Sequence, residues 1–237
     1  VATSPRRREA QPPGHLLALR AHQGNVHGLL LNEYLEALKD HPLTERSQFA
    51  RWTAVRDGRT VEFDYMVDSI AKRQKTRHDL IERYAWAIPS DEIIATIAAL
   101  SPIVEVGAGN GYWAYLLAKA GADVVAYDRQ PDGGNAWFPK IEKPWFPVQR
   151  GPASAAKAHA DRTLLIVWPP YNAPMANTAL RLYHGSRFVY VGEGDGGCNA
   201  NSAFFARLER EWRVAAEATI PRWEGINDGV VVYERKL

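Results

Sequence analysis

The residues of this sequence best spaced for chemistry are two acids and three glycines. Glu105, Gly107, Gly109 and Gly111 follow the apolar run Ile103 to Val106, and Asp128 ends a second apolar run, Val124 to Tyr127. Glycines after a buried strand let the backbone turn tightly and approach a ligand closely. In an open parallel sheet, ligands bind at the carboxyl ends of the strands, where an acid such as Asp128 can accept both hydroxyl protons of a ribose. The plain alternatives are a packing turn for the glycines and a cap for Asp128. The stretch from Gly109 to Ala114 also fits the G-x-G-x-x-A dinucleotide fingerprint. Glu105 argues against that fit, because a carboxylate two residues before the first glycine would repel a pyrophosphate. A phosphate-free, cationic nucleoside would be attracted instead.

A second group lies further along. Trp168, Pro169, Pro170 and Tyr171 follow the apolar run from Thr163 and are candidates for holding a substrate, with a rigid strand exit as the plain alternative. Glu193 stands in the glycine-rich loop Gly192 to Cys198, where a carboxylate can act as general base or can be satisfied by loop amides. Tyr84 is placed to offer an aromatic face to a cation, whereas Trp86 reads as core. Cys198 reads as a packing residue, and His159 and His184 as surface residues without ligand-like spacing.

The elements that must position these residues change character near Pro102. Before it, apolar residues from Leu16 to about Ala54 recur at helical spacing, and 67–85 reads as a charged amphipathic helix whose basic residues form a solvated face. Ser90, Asp91 and Glu92 supply a cap and early acids for a helix ending near Leu100. After Pro102, strands are predicted at 103–106, 123–127, 145–149, 163–168, 188–192, 212–219 and 229–235, with the strongest helices at 112–120, 173–184 and 199–211. This alternation predicts an α/β fold with a mostly parallel sheet covered by helices on both faces. The predicted organisation is a disordered tail over 1–13, a helical extension or lid over 14–100, and the sheet domain over 101–237.

Composition narrows the function. The formal charge is +2, and Arg6, Arg7 and Arg8 of the tail contribute to it, leaving a nearly neutral body that argues against a broad nucleic-acid-binding face. A single cysteine excludes an intramolecular disulfide framework and a multi-cysteine metal site, and no metal ligand set is proposed. The lone cysteine makes a reducing cytoplasm the expected location, and no apolar stretch is long enough to span a bilayer.

With these residues in place, the sequence resembles the class I S-adenosylmethionine-dependent methyltransferases, whose first motif is acid-x-Gly-x-Gly-x-Gly and whose second strand ends in an acid. The likeness runs from Ile103 to Lys236. It implies a Rossmann-like seven-stranded sheet, the last strand antiparallel beside the fifth, with S-adenosylmethionine as cofactor and S-adenosylhomocysteine as product. By the same resemblance Glu105, Gly107, Gly109 and Gly111 face the methionine portion, Asp128 holds the ribose, and Gly151 lies near the adenine. Tyr84 and Trp168 would border the cofactor, while Trp168 to Tyr171 would meet the acceptor and Glu193 and Tyr171 would serve catalysis. Amino-methylating members carry an acidic or amide residue before Pro-Pro-aromatic. Trp168 stands there instead, and its indole can only donate. The expected activity is therefore methyl transfer to an oxygen, nitrogen or carboxylate of a small molecule. Cyclisation of the cofactor's aminobutyryl arm, a non-catalytic cofactor-binding protein and a dehydrogenase are the competing readings.

Overall fold

A computed structural model describes residues 32–39, 75–134, 141 and 143–236. The tail over 1–13 and most of the extension lie outside the described residues. What is described of the extension is α1 (Glu33–Leu38), α2 (75–83) and α3 (Asp91–Ala98). The sheet domain follows as β1 (Ile103–Val106), α4 (Tyr112–Lys119), β2 (Val124–Asp128), β3 (Val148–Arg150), a 3-10 segment (Ala153–Ala158) and β4 (Thr163–Val167). It continues through α5 (Met175–Leu182), β5 (Arg187–Gly192), α6 (Ser202–Glu211), β6 (Trp212–Thr219) and β7 (Gly229–Arg235).

The seven strands form one sheet in the order β3-β2-β1-β4-β5-β7-β6. The first five are parallel to one another, and β7 runs antiparallel to both β5 and β6. Successive residues of a strand point to opposite faces, so Ile103, Leu165, Val167, Val189 and Val191 enter one core with α3, α4 and the extension. Val104, Val106, Leu164, Ile166, Phe188 and Tyr190 enter the other, with α5 and α6. Glu105 falls by this alternation on the side of Ile103, toward α4 and the extension.

The helix termini follow local chemistry. The Ser90 side chain accepts from the Ile93 amide and Asn201 from the Phe204 amide, each capping a helix. Helix α6 therefore starts at Ser202 rather than 199, since Ala200 takes a φ of 52° and Asn201 becomes the cap. Similarly α5 starts at Met175, after Pro174. The largest departure is β3, predicted over 145–149. Pro144 and Pro147 lack amide hydrogens for a ladder, and Trp145 is drawn off: its amide donates to the Asn110 carbonyl (2.8 Å) and its indole to the Arg83 carbonyl (2.8 Å). Only Val148–Arg150 remains to pair with β2.

The extension is tied to α4 by polar contacts inside an aromatic cluster. Tyr112 donates to Asn32 Oδ1 (3.0 Å) and accepts from the Tyr34 amide (2.9 Å), while Trp113 donates to the Ala87 carbonyl (3.2 Å). Tyr34, Tyr84, Tyr112 and Trp145 pack with centroids 4.9 to 6.2 Å apart. Residues 32–39 and 84–89 thereby form a wall beside the carboxyl ends of the strands. Among the described residues no helix is long and apolar enough to cross a membrane.

Candidate active site

The carboxyl ends of β1, β2 and β4 open into a cavity of about 1080 Å³. All three loop glycines, Glu105 and Asp128 belong to this corner, and Gly107, Gly109, Glu105 and Asp128 line the cavity itself. Gly107, Gly109 and Gly111 have φ values of 83°, 57° and 81°, in the left-handed region that side chains other than glycine's occupy at a cost. At Gly111 a Cβ would also meet Phe146 Cβ and Val148 Cγ2, each at 2.9 Å. Helix α4 starts immediately after, with Gly111 as its cap.

Asp128 holds the loop from β2. Its Oδ2 accepts from the Gly109 amide (2.9 Å) and its Oδ1 from the Gln130 amide (2.7 Å). A carboxylate offers about four lone-pair sites, so each oxygen retains one for a further donor, which fits a pair of ribose hydroxyls. Glu105 is only 1% exposed, and its Oε2 has no hydrogen-bond partner. Burial, reinforced by the negative charge of Asp128, pushes its carboxyl up to about 8, with the Ala114 amide acting in the opposite direction. A buried carboxyl of this kind calls for a cationic donor, and an ammonium group meets both its missing hydrogen bond and its missing charge.

Gly151 also lines the cavity, followed by Pro152, Ala153 and Ser154. A Cβ at Gly151 would lie 2.8 Å from the Tyr127 ring, so the chain here runs close against β2. Across the cavity, the terminal methyl of Met175 rests over Gly107.

The aromatic predictions divide. Tyr84 lines the cavity, but its ring is 2% exposed, stacked between Tyr34 and Trp145, with the Arg83 guanidinium 5.2 Å away. The cation it meets in this structure is thus Arg83. Trp86, read as core, lies half-buried on the cavity wall and stacks on Trp168 with centroids 4.6 Å apart and planes 12° apart. Trp168 has a φ of 47°, and its indole donates to Asp228 Oδ1 at 2.8 Å.

Two expectations from the sequence need correcting. The carbonyl of Pro169 does not face a substrate: it accepts from the Ala200 amide (3.2 Å) and the Asn199 side chain (3.5 Å). Pro170 does line the cavity, yet its carbonyl accepts from the Ala173 amide (3.3 Å). Glu193 is buried away from the cavity wall, with Oε1 accepting from the Asn227 amide and Oε2 from the Cys198 amide, both at 2.8 Å. Burial raises its pKa, but these amides prevail and hold it below the ordinary carboxylate range. Such a carboxylate organises the glycine loop and is a poor proton acceptor. Tyr171 stands at the rim of the cavity, 69% exposed.

Three site residues escaped the sequence reading. Arg77 was assigned to a solvated helix face but lines the cavity, its guanidinium 5.7 Å over Trp223. Met175 gave no signal beyond an apolar residue near a helix start. Asp228, just ahead of β7, was not singled out from the sequence, yet β7 is antiparallel and Gly229 pairs with Gly192, which brings Asp228 to the carboxyl edge of the sheet. It is 3% exposed, its Oδ2 has no hydrogen-bond partner, and burial pushes its carboxyl up to about 6.

No protein-family model matches the chain, and no curated protein matches it. Solved structures do. One is the 1,6-didemethyltoxoflavin-N1-methyltransferase of Burkholderia thailandensis, with 1,6-didemethyltoxoflavin and S-adenosylhomocysteine bound (17% identity over 74% of this chain and 90% of that one, TM-score 0.46). Another is the magnesium protoporphyrin IX methyltransferase of Synechocystis PCC 6803 with S-adenosylmethionine bound (12%, covering 87% and 98%, TM-score 0.42). A third is an rRNA methylase of Streptococcus thermophilus (16%, covering 62% and 94%, TM-score 0.35). At identities and TM-scores this low, the functional reading rests on this chain's own site. The fold itself is plain: a Rossmann-like, mostly parallel seven-stranded sheet whose final strand enters antiparallel beside the fifth, as the class I methyltransferase resemblance implies.

Proposed function

We propose that this chain is an S-adenosylmethionine-dependent methyltransferase that moves a methyl group directly onto an oxygen, nitrogen or carboxylate of a small molecule. The observation that carries the reading is Glu105: a carboxyl 1% exposed, with one oxygen unpartnered, behind a left-handed glycine loop whose other acid, Asp128, keeps acceptor sites open. That pair suits a nucleoside with ribose hydroxyls and a cationic amino-acid arm. It suits a pyrophosphate poorly, since that group brings neither the donor nor the positive charge that the buried Glu105 carboxyl lacks.

When bound, this cofactor supplies an electrophilic methyl carbon on a sulfonium. The chain's own residues then have four tasks. Glu105 and the loop from Gly107 to Gly111 hold the amino-acid arm, Asp128 fixes the ribose, and the segment from Gly151 to Ser154 borders the base. Aromatic walls from Tyr84, Trp86 and Trp168 exclude water from the transfer path. Alignment of an acceptor lone pair with the methyl carbon, in a desolvated site, is sufficient for direct displacement without an enzyme nucleophile. The cavity stands just above the range of about 300–1,000 Å³ for small-molecule sites, which leaves room for a second ligand of modest size.

Titration calorimetry of the full chain with S-adenosylmethionine and S-adenosylhomocysteine tests the cofactor assignment, and failure of both to bind overturns it. Incubation of cell extract with the methyl-labelled cofactor, followed by mass spectrometry, tests the transfer and reports the acceptor. Label confined to macromolecules would overturn the small-molecule assignment.

A further inference from the structure

Residue 168 and its surroundings are built more rigidly than a strand exit requires. Trp168 adopts a φ of 47°, a conformation that is a genuine outlier for a bulky side chain and persists only where the surroundings over-determine it. Those surroundings are visible. The Trp168 amide donates to the Val191 carbonyl at 2.8 Å, fixing the backbone to β5. One face of the indole lies against Trp86, and its edge is held by the buried carboxyl of Asp228. Downstream, Ala200 receives the chain again: its carbonyl accepts from the Asn172 amide and its own amide donates to Pro169. Trp86 and Trp168 both line the cavity, so the product of this arrangement is a fixed aromatic wall on the acceptor side.

We propose that Trp168, held edge-on by Asp228 and backed by Trp86, is the specificity-determining platform of the site and selects a flat aromatic acceptor by stacking. The inference rests on the reading of this cavity as a methyl-acceptor site. Its chemistry differs from recognition through a hydrogen-bonding side chain at this position. An indole whose only donor is committed to Asp228 offers the acceptor its π-face and its area, so the acceptor's ring is positioned by its plane. Asp228 acts here as a positioning residue.

The test compares two probes with one carbon skeleton, planar 2-naphthol and puckered decahydro-2-naphthol. Both are titrated into the full chain saturated with S-adenosylhomocysteine. Native protein should prefer 2-naphthol by up to about tenfold, the extent set by aromatic pairing beyond buried area. Trp168→Leu should bring the two probes within about twofold of each other. Asp228→Leu should weaken 2-naphthol several-fold, and Asp228→Asn, whose amide oxygen still accepts from the indole, should restore it. The restoration separates positioning from a merely structural loss. Equal binding of the two probes to native protein, a preference that survives Trp168→Leu, or an Asp228→Asn protein no better than Asp228→Leu would each overturn the proposal. If S-adenosylhomocysteine fails to bind, the cofactor reading falls, and the same comparison run without it still decides the platform.

Discussion

Replacing Glu105 by Gln removes a titrating group whose ionisation should be coupled to cofactor binding, and the size of that coupling follows from the structure. The carboxyl is buried, with one oxygen unpartnered, and is pushed up to about 8. At pH 7 a group at this value is about nine-tenths protonated. An ammonium placed against it favours the ionised form, so binding should expel about 0.9 proton from Glu105. The α-amino group of the ligand carries a carboxylate on the same carbon and is already protonated at pH 7, so it adds little to this count. Net release should therefore be about 0.9 proton for native protein, against almost none for Glu105→Gln. Calorimetry of S-adenosylhomocysteine binding in buffers of different ionisation enthalpy reads these numbers as slopes. The native-minus-variant difference, about 0.9 at pH 7, should shrink to about 0.1 at pH 9, where Glu105 is already ionised in the free protein. Equal slopes at pH 7, or a difference that persists at pH 9, would refute the pairing of Glu105 with the ammonium.

The same carboxyl shapes stability without cofactor. Its folded value lies above the ordinary carboxyl value of 4.5, so the folded state binds more protons than the unfolded state between these limits. The stability it contributes is full below about pH 4.5 and is lost as pH rises through about 8. Thermal melts should accordingly show native protein falling relative to Glu105→Gln over that interval, with the curves running parallel above it.

Three further substitutions separate the roles of neighbouring residues. Asp128→Ala should weaken S-adenosylhomocysteine by about 1–3 kcal/mol through lost charged hydrogen bonds; unchanged affinity by calorimetry would remove Asp128 from the ribose. Gly111→Ala places a Cβ 2.9 Å from Phe146 and Val148 at a φ of 81°, and urea denaturation should show a loss of roughly 1–3 kcal/mol. A loss below about half a kcal/mol would mean that the loop relaxes freely. Glu193→Gln should cost about 1–2 kcal/mol at pH 7, because one of two backbone amides loses its acceptor. Since the folded carboxylate of Glu193 is held low, its contribution is present above the ordinary carboxylate value and lost as pH falls through the folded one. The shape of the kcat profile against pH should not change in this variant; a lost acidic limb would return Glu193 to the role of general base.

The residues that could be read in advance are those whose roles are local. Strands β1, β6 and β7 keep the predicted bounds, and the glycine loop lies where its left-handed turns are needed, between a buried strand and a helix. Strand β3 was misplaced because Trp145 is claimed by Asn110 and Arg83, partners 35 and 62 residues away that no local pattern encodes. Arg77 was assigned to solvent for a related reason. Helical periodicity gives the face of a residue but not which other element closes over that face. Glu193 shows the converse: its place at a strand end suggested a pocket base, whereas one oxygen accepts from the Cys198 amide of the loop that follows and the other from the Asn227 amide, 34 residues away, so both are turned from the cavity.

The acceptor side depends on one such distant pair. Taken alone, Trp168 marks the loss of a hydrogen-bonding side chain, and that loss was the sequence support for a protein that binds cofactor without chemistry. In the folded chain Asp228, 60 residues later, is carried to the same edge by the antiparallel course of β7 and is joined to the indole at 2.8 Å. An acid is therefore present beside residue 168, although the chain supplies it from another strand. Burying that acid has a cost, as its raised pKa records, and the indole N–H offsets only part of it. An ornamental tryptophan would not need a buried carboxyl to hold its edge, and a decayed site would have no reason to keep the left-handed backbone that aims it. The departure at Trp168 thus speaks for a changed acceptor more strongly than for lost activity.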